Sequence, residues 1–202
     1  MSKSPIAAFA FLLFTAAASA QEYQRMDAFL GYTYVRFSAT GPVPAFNASG
    51  GSGQWAYNFN KWFSGVVDAG AVHNGGIPRL RLDATIAAFL AGPRLSLRQG
   101  RFVPYVQTLF GGAWATTSAS EARFIPFPTP VGTTLRAAKS VWGFAMTAGA
   151  GLDFKLSRHV NLRPVQAEYL LTRLEPFGVL GTNTQNNFRY SVGVNFTYGG
   201  AR

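Results

Sequence analysis

Cysteine is absent from this 202-residue chain, and charged residues make up only 13% of it. Without cysteine there is no disulfide framework, no thiol nucleophile and no cysteine-ligated zinc site. Disordered proteins are rich in charge and poor in aromatic residues, whereas this chain contains 18 Phe, 8 Tyr and 4 Trp. The composition therefore excludes a disordered protein, and the length is that of a single domain.

Long apolar runs are also missing, except at the start of the chain. Residues 6–18 (IAAFAFLLFTAAA) form an apolar segment of 13 residues, shorter than the roughly 20 residues that a membrane-spanning helix needs. Lys3 precedes this segment, and Ala18-Ser19-Ala20 ends it with the small residues that signal peptidase recognises. The pattern predicts a cleaved Sec-type signal peptide over residues 1–20 and a mature domain over 21–202, with a transmembrane anchor as the alternative.

Large apolar residues alternate with small or polar residues along most of the mature chain. In residues 188–198 Phe, Tyr and Val alternate with Arg, Ser, Gly, Asn and Thr, and residues 141–154 show the same period of two. This period is typical of a β-strand with one apolar face. Weaker alternation predicts further strands at 27–37, 53–60, 63–72, 84–96, 102–115 and 160–174.

One of the eight predicted strands changes phase. In residues 160–174 the polar residues Asn161 and Arg163 occupy odd positions, whereas Gln166 and Glu168 occupy even positions. An extra residue in the strand would bring all four to the same face, and proline is tolerated at such a point. The sequence therefore predicts a β-bulge near Pro164.

The predicted connections alternate in length. The long ones (38–52, 73–83, 116–140 and 175–187) are rich in Gly, Pro, Asn, Ser or Thr, and the short ones are 61–62, 97–101 and 155–159. This alternation predicts antiparallel neighbours, with the long connections on one side and both chain ends on the other.

The face that forms the core decides the class of protein. The strand face with the small and polar residues, called the small face, carries too few Lys and Glu for a water-exposed surface. The opposite face with the large residues, called the large face, is almost continuously apolar. We therefore expect the large face to meet lipid and the small face to line a narrow lumen, in a closed barrel without unpaired edges. The alternative is a soluble lipocalin-like barrel that binds a ligand, which requires Tyr32, Tyr57, Phe144 and Phe196 to point inward.

Four segments carry a resemblance to a known family: 29–34 (FLGYTY), 90–94 (LAGPR), 104–111 (PYVQTLFG) and 192–198 (VGVNFTY). With them, essentially the whole mature chain resembles the OmpA-type small outer membrane β-barrel proteins. The resemblance implies an all-β, eight-stranded antiparallel up-and-down transmembrane β-barrel in the cell outer membrane, with short turns in the periplasm and long loops outside. The partners it implies are outer membrane lipid, lipopolysaccharide and the barrel-assembly machinery.

Six charged residues have the phase of the small face and are expected to lie in the lumen. They are Asp68, Arg94, Asp153, Arg163, Glu168 and Arg189. Because unpaired charge in a dry interior is costly, and because an eight-stranded barrel is just wide enough for side chains to fill, we expect a structural network of ion pairs. The alternative is a gated polar path, which would make the protein a small channel or porin, either alone or as an oligomer.

Other candidate chemistry is sparse. His73 is predicted to lie near Asp83, and a lipid-modifying enzyme at the barrel rim would need a serine hydroxyl within reach of this histidine. His159 is interpreted as a turn residue. Because the two histidines are far apart in the sequence and cysteine is absent, we expect no metal site and no cofactor. We also expect the protein not to be an enzyme.

The basic excess, 18 Lys and Arg against 8 Asp and Glu, lies largely outside the predicted membrane span. The long connections carry possible extracellular anion contacts at Arg79, Arg81, Arg123, Arg136, Lys139 and Arg173. They would either compensate the charge of lipopolysaccharide or bind a specific anionic surface ligand, whose identity the residues do not indicate. The sequence has no pattern of basic and stacking residues that would indicate a nucleic-acid-binding groove.

The longest connection, 116–140, contains a Pro-rich apolar stretch at 124–131 (FIPFPTPV). A loop of this size is the best candidate for a partner contact or for folding over the barrel mouth. The predicted function is thus non-enzymatic support of envelope integrity, or surface interaction through the extracellular loops.

Overall fold

The protein forms a closed barrel of eight β-strands in a computed structural model that describes residues 24–39, 44–77, 82–119, 138–174 and 184–200. The predicted signal peptide lies outside these residues. The strands are β1 (Gln24–Phe37), β2 (Phe46–Asn58), β3 (Phe63–Ile77), β4 (Leu82–Ser96), β5 (Phe102–Ala119), β6 (Ala138–Lys155), β7 (Val160–Leu174) and β8 (Thr184–Gly200).

Each strand pairs antiparallel with the next, and β1 pairs with β8 to close the barrel. The closing register places Ala28 opposite Phe196 and Gly31 opposite Gly193. The prediction of an eight-stranded up-and-down antiparallel barrel is therefore confirmed. Within the described ranges, no helix has the length and apolar character needed to cross a membrane.

The large apolar face points outward. Leu30, Tyr32 and Phe144 are exposed, while their neighbours Thr33 and Ala145 are buried in the interior. Tyr57 and Phe196 lie on the same outer face, each between two buried residues of its strand. The lipocalin-like alternative is wrong, because none of its four required aromatic side chains points inward.

The predicted bulge is present in β7. The pairing of β7 with β8 shifts between Arg163 and Gln166, and the residues on either side of the shift are buried in the lumen. Pro164 lies within the shift, where its missing N–H costs no ladder hydrogen bond. The extra residue brings Arg163 and Glu168 to the same inner face.

Several strands extend beyond their predicted limits. β2 begins at Phe46 rather than at residue 53, and β3 continues to Ile77 rather than ending at residue 72. The prediction placed residues 46–52 in a loop because they are rich in Gly, Ser and Asn. In the barrel, Gly50 lies so close to β3 that a side chain there would overlap the carbonyl oxygen of Ala71. The small residue in this strand reflects close packing rather than a turn.

The outer half of the lumen is largely apolar, contrary to the expectation of a small polar interior throughout. The rings of Phe37 and Phe46 stack with centroids 4.7 Å apart, and both side chains are buried. We call the cluster around them the apolar plug; it consists of Val35, Phe37, Phe46, Ala48, Val72, Ala84, Ile86, Ala115, Val141 and Leu170. The plug lies towards the ends of the strands that lead into the long connections, and the hydrogen-bonded side chains of Thr172 and Asn187 are buried beside it.

Candidate functional site

The polar half of the lumen is organised around Arg163. Its guanidinium makes two hydrogen bonds to the carboxylate of Asp153, Nε to Oδ1 at 2.6 Å and Nη2 to Oδ2 at 3.0 Å. Its Nη1 donates to Gln54 Oε1 and Gln166 Oε1, both at 2.8 Å. The centroid of the Phe29 ring lies 4.3 Å from the guanidinium carbon. Four strands thereby hold one fully buried cation.

A second ion-pair group lies deeper in the lumen. Arg189 donates to both carboxylate oxygens of Asp68, at 2.9 and 2.8 Å. Its Nε lies 3.5 Å from Glu168 Oε2, an ion pair without hydrogen-bond geometry. Glu168 also accepts a hydrogen bond from Gln107 at 2.7 Å. The group has two acids and one base, and all three ionic side chains are almost completely buried.

Arg94 differs from the other two lumen arginines in its partners. Its hydrogen bonds go to the neutral oxygens of Gln107, at 2.8 Å, and Gln54, at 2.5 Å. Among the described residues, no carboxylate lies within ion-pair distance of it. Its guanidinium carbon lies 4.4 Å from the centroid of the Tyr105 ring, and that of Arg163 lies 4.7 Å from the same ring.

Gln54 joins the groups into one network. Its amide nitrogen donates to Asp68 at 2.8 Å, while its oxygen accepts from both Arg94 and Arg163. A buried charge-assisted network of this kind is stable only when nearly all its members are satisfied. We call it the lumen network; it comprises Gln54, Asp68, Arg94, Tyr105, Gln107, Asp153, Arg163, Gln166, Glu168 and Arg189.

All six charged residues predicted for the lumen are buried there. Four members of the lumen network were not among the predicted site residues: Gln54, Tyr105, Gln107 and Gln166. The signal that could have found the three glutamines was available, because each has the inward phase of its strand. Nothing in the local pattern indicates that Tyr105 stacks with two arginines from other strands.

A basic vestibule opens at the end of the barrel that carries the short turns (59–62, 97–101 and 156–159). Its volume is about 750 Å³, and Arg94 and Asp153 of the lumen network line its floor. Arg98 reaches across one side, with hydrogen bonds to Asn58 and Ser64 at 2.6 and 3.0 Å and an ion pair with Asp27 at 3.5 Å. Asp27 is buried and was not among the predicted site residues.

The predicted reactive histidine has a different partner. The ring nitrogen Nδ1 of His73 lies 3.0 Å from Thr85 Oγ1, and the hydrogen bonds of the described residues include none between His73 and a serine hydroxyl. His159 lies in an exposed turn and accepts a hydrogen bond from Thr197 N through its carbonyl oxygen. No group of three or more metal-ligating side chains occurs in the part of the chain that the structure describes.

The structure describes two of the six predicted extracellular cations, Lys139 and Arg173. Arg173 is exposed near the end of β7, and Lys139 pairs with Thr117 through the backbone of β6 and β5. Arg79, Arg81, Arg123 and Arg136 lie outside the described residues. Arg36, which was not among the predicted contacts, is exposed at the same end of the barrel and donates to Asn47 at 2.9 Å.

Closed topology, an outward apolar face and an inward ionic network are features of transmembrane barrels. The sequence matches the family described as the outer membrane protein beta-barrel domain over residues 6–198. The chain belongs to this family. Membership establishes an outer membrane β-barrel and confirms the resemblance to small outer membrane barrels.

Solved structures with a similar fold include three small outer membrane proteins. Neisserial surface protein A has 12% identity and a TM-score of 0.62, with 86% of this chain and 97% of that chain covered. Ail of Yersinia pestis has 15% identity and a TM-score of 0.57, covering 87% and 99%. OprG of Pseudomonas aeruginosa has 13% identity and a TM-score of 0.51, covering 89% and 98%. At these identities the similarity concerns the fold alone. A comparison of this sequence with curated proteins found no match.

Proposed function

We propose that this protein is a closed, non-enzymatic outer membrane barrel that supports the envelope and presents its long connections for surface interaction. The observation that supports the proposal is the filled interior, in which the lumen network and the apolar plug follow one another along the axis. A barrel filled in this way serves as a rigid support, and its variable chemistry lies in the loops. Export through a Sec-type signal peptide and insertion by the barrel-assembly machinery remain part of the proposal.

The channel alternative predicts a different electrical behaviour. If the lumen is closed, the purified mature protein in a planar bilayer is expected to show no stepwise current above the lipid background in molar KCl. A large porin added to the same bilayer is the positive control. A steady conductance that increases with salt concentration would contradict the closed barrel and favour the small channel.

The surface role concerns the connection between β5 and β6, residues 120–137. Its cations Arg123 and Arg136, together with Arg79, Arg81, Lys139 and Arg173, suit anions such as lipopolysaccharide or a sulfated polysaccharide. Ail of Yersinia pestis has been solved with the heparin analogue sucrose octasulfate, which supports testing this class of ligand.

Replacing residues 120–137 with a short Gly-Ser linker is expected to reduce binding of cells to immobilised heparin by about ten-fold, because the cations Arg123 and Arg136 are lost. The barrel should remain folded, since the exchange leaves the described strands intact. Binding is compared between cells that display the two forms at equal surface density. A linker variant that binds as well as the wild type would contradict the role of this loop, and increased detergent sensitivity without a change in binding would favour the envelope role.

A further inference from the structure

The vestibule at the short-turn end has a large excess of positive charge. Two acidic residues line it, Asp27 and Asp153. The basic residues that line it are Lys61, Arg94, Arg98, Arg101, Lys155 and Arg158. The excess lies within a concave site whose walls are protein, and such walls concentrate the electric field on whatever enters.

The two acids do not neutralise this excess, because each is already held by an arginine. Asp153 accepts two hydrogen bonds from the fully buried Arg163. Asp27 forms its ion pair with Arg98 at 3.5 Å. The other cations that line the vestibule have no carboxylate within ion-pair distance among the described residues.

Arg94 at the floor is the decisive member of this group. It is 2% exposed, and its hydrogen-bond acceptors are two glutamine oxygens that carry no charge. A buried cation is costly unless a counter-charge lies near it. The acids that balance its charge, Glu168 beyond Gln107 and Asp153 beside Arg163, do not contact it directly, so an anion in the vestibule would give Arg94 a direct ionic contact.

We propose that the vestibule binds a phosphate group, with Arg94 at the floor and Lys61 and Arg158 at the rim. Arginine matches phosphate through two parallel N–H donors, and lysine adds a mobile point charge. A volume of about 750 Å³ accommodates a phosphorylated headgroup or a small phosphorylated solute. This site is at the opposite end from the surface role proposed above and does not depend on it.

The first test is calorimetric titration of inorganic phosphate into the folded mature protein in a non-ionic detergent that contains no phosphate. The wild type is expected to bind one phosphate per barrel. The double variant Lys61→Gln/Arg158→Gln is expected to bind at least about ten-fold more weakly, since it loses two charge-assisted contacts. Binding is also expected to weaken as the concentration of KCl rises.

The matched control is Arg36→Gln/Arg173→Gln, which removes two exposed cations from the opposite end of the barrel. It has the same change in net charge and is expected to keep the wild-type affinity. Absence of binding to the wild type, equal binding by the rim variant, or an equal loss in the control would each overturn the proposal.

Arg94→Gln tests the floor, and its melting temperature is measured alongside the titration. A folded Arg94→Gln protein that binds phosphate as well as the wild type would overturn the assigned position of the site. Because the rim side chains are outside the lumen network, the rim variant keeps the proposal testable if Arg94→Gln fails to fold.

The source of the phosphate is distinguished by repeating the titration in bilayer nanodiscs. If a lipid headgroup is the occupant, phosphatidylglycerol nanodiscs are expected to suppress the binding of added phosphate at constant ionic strength. If the occupant is a soluble phosphorylated molecule, the affinity is expected to be unchanged from that in detergent. Binding of an acidic peptide without binding of phosphate would overturn the proposal.

Discussion

Replacing Arg163 with methionine is expected to lower the free energy of unfolding by about 3–5 kcal/mol, the cost of breaking one side of a buried ion pair. Asp153 would be left as a buried carboxylate with the amide of Asn195 as its remaining donor, at 3.1 Å. Gln54 and Gln166 would each lose a hydrogen bond to the guanidinium as well. The measurement is reversible urea unfolding in lipid vesicles, followed by tryptophan fluorescence.

The matched control for this experiment is Arg173→Met, the same substitution at an exposed position. It is expected to change stability by less than about 0.5 kcal/mol. The double variant Arg163→Met/Asp153→Leu removes both charges and is expected to recover part of the loss, because no unpaired carboxylate remains. A loss of under about 1 kcal/mol in the single variant would mean that water solvates Asp153. The ion pair of Arg163 and Asp153 would then contribute little to stability, contrary to the structural role of the lumen network.

Replacing Gly193 with valine is expected to hinder closure of the barrel. Gly193 of β8 faces Gly31 of β1 in the closing register, and a side chain at position 193 would overlap the carbonyl oxygen of Leu30 and the backbone of Gly31. Since the obstacle is backbone, it cannot be relieved by a rotamer change. We expect a loss of roughly 3 kcal/mol or a failure to fold.

The control for Gly193→Val is Gly51→Val, where the nearest atom to a new Cβ is the carbonyl oxygen of Gly31 at 3.7 Å. Valine favours a strand and its Cβ would make only an ordinary van der Waals contact there, so folding is expected to proceed as in the wild type. Both variants are diluted from urea into lipid vesicles, and the folded fraction is measured by resistance to protease. Normal folding of Gly193→Val would show that β1 and β8 meet in a different register.

The seam, at which β1 pairs with β8, is linked to the lumen network through Phe29. A side chain at Gly31 would overlap the ring of Phe29, and that ring stacks against Arg163 at 4.3 Å. The glycine therefore leaves the space in which the aromatic support of the buried arginine lies. We expect changes at the seam and changes at Arg163 to be non-additive in stability, because they share this ring.

The sequence alone determined the class of fold and the direction of most side chains. The pleat of a strand directs neighbouring residues to opposite faces, so a local period of two was enough to place Phe144 outside and Asp68 inside. The same local rule indicated the bulge at Pro164, since only an added residue restores the common phase of Arg163 and Glu168. Strand ends were less determined, because Gly and Ser in β2 are compatible with both a turn and a closely packed strand.

The partners of the inward residues were decided only by the tertiary structure. Gln54 and Arg163 are 109 positions apart, and they meet because closure of the sheet brings β2 and β7 to face each other across the lumen. The apolar plug, the two arginines beside Tyr105 and the basic vestibule arise in the same way. Strand periodicity gives the face of each residue, but the height and the opposite wall depend on the register and curvature of the whole barrel, which no local pattern contains.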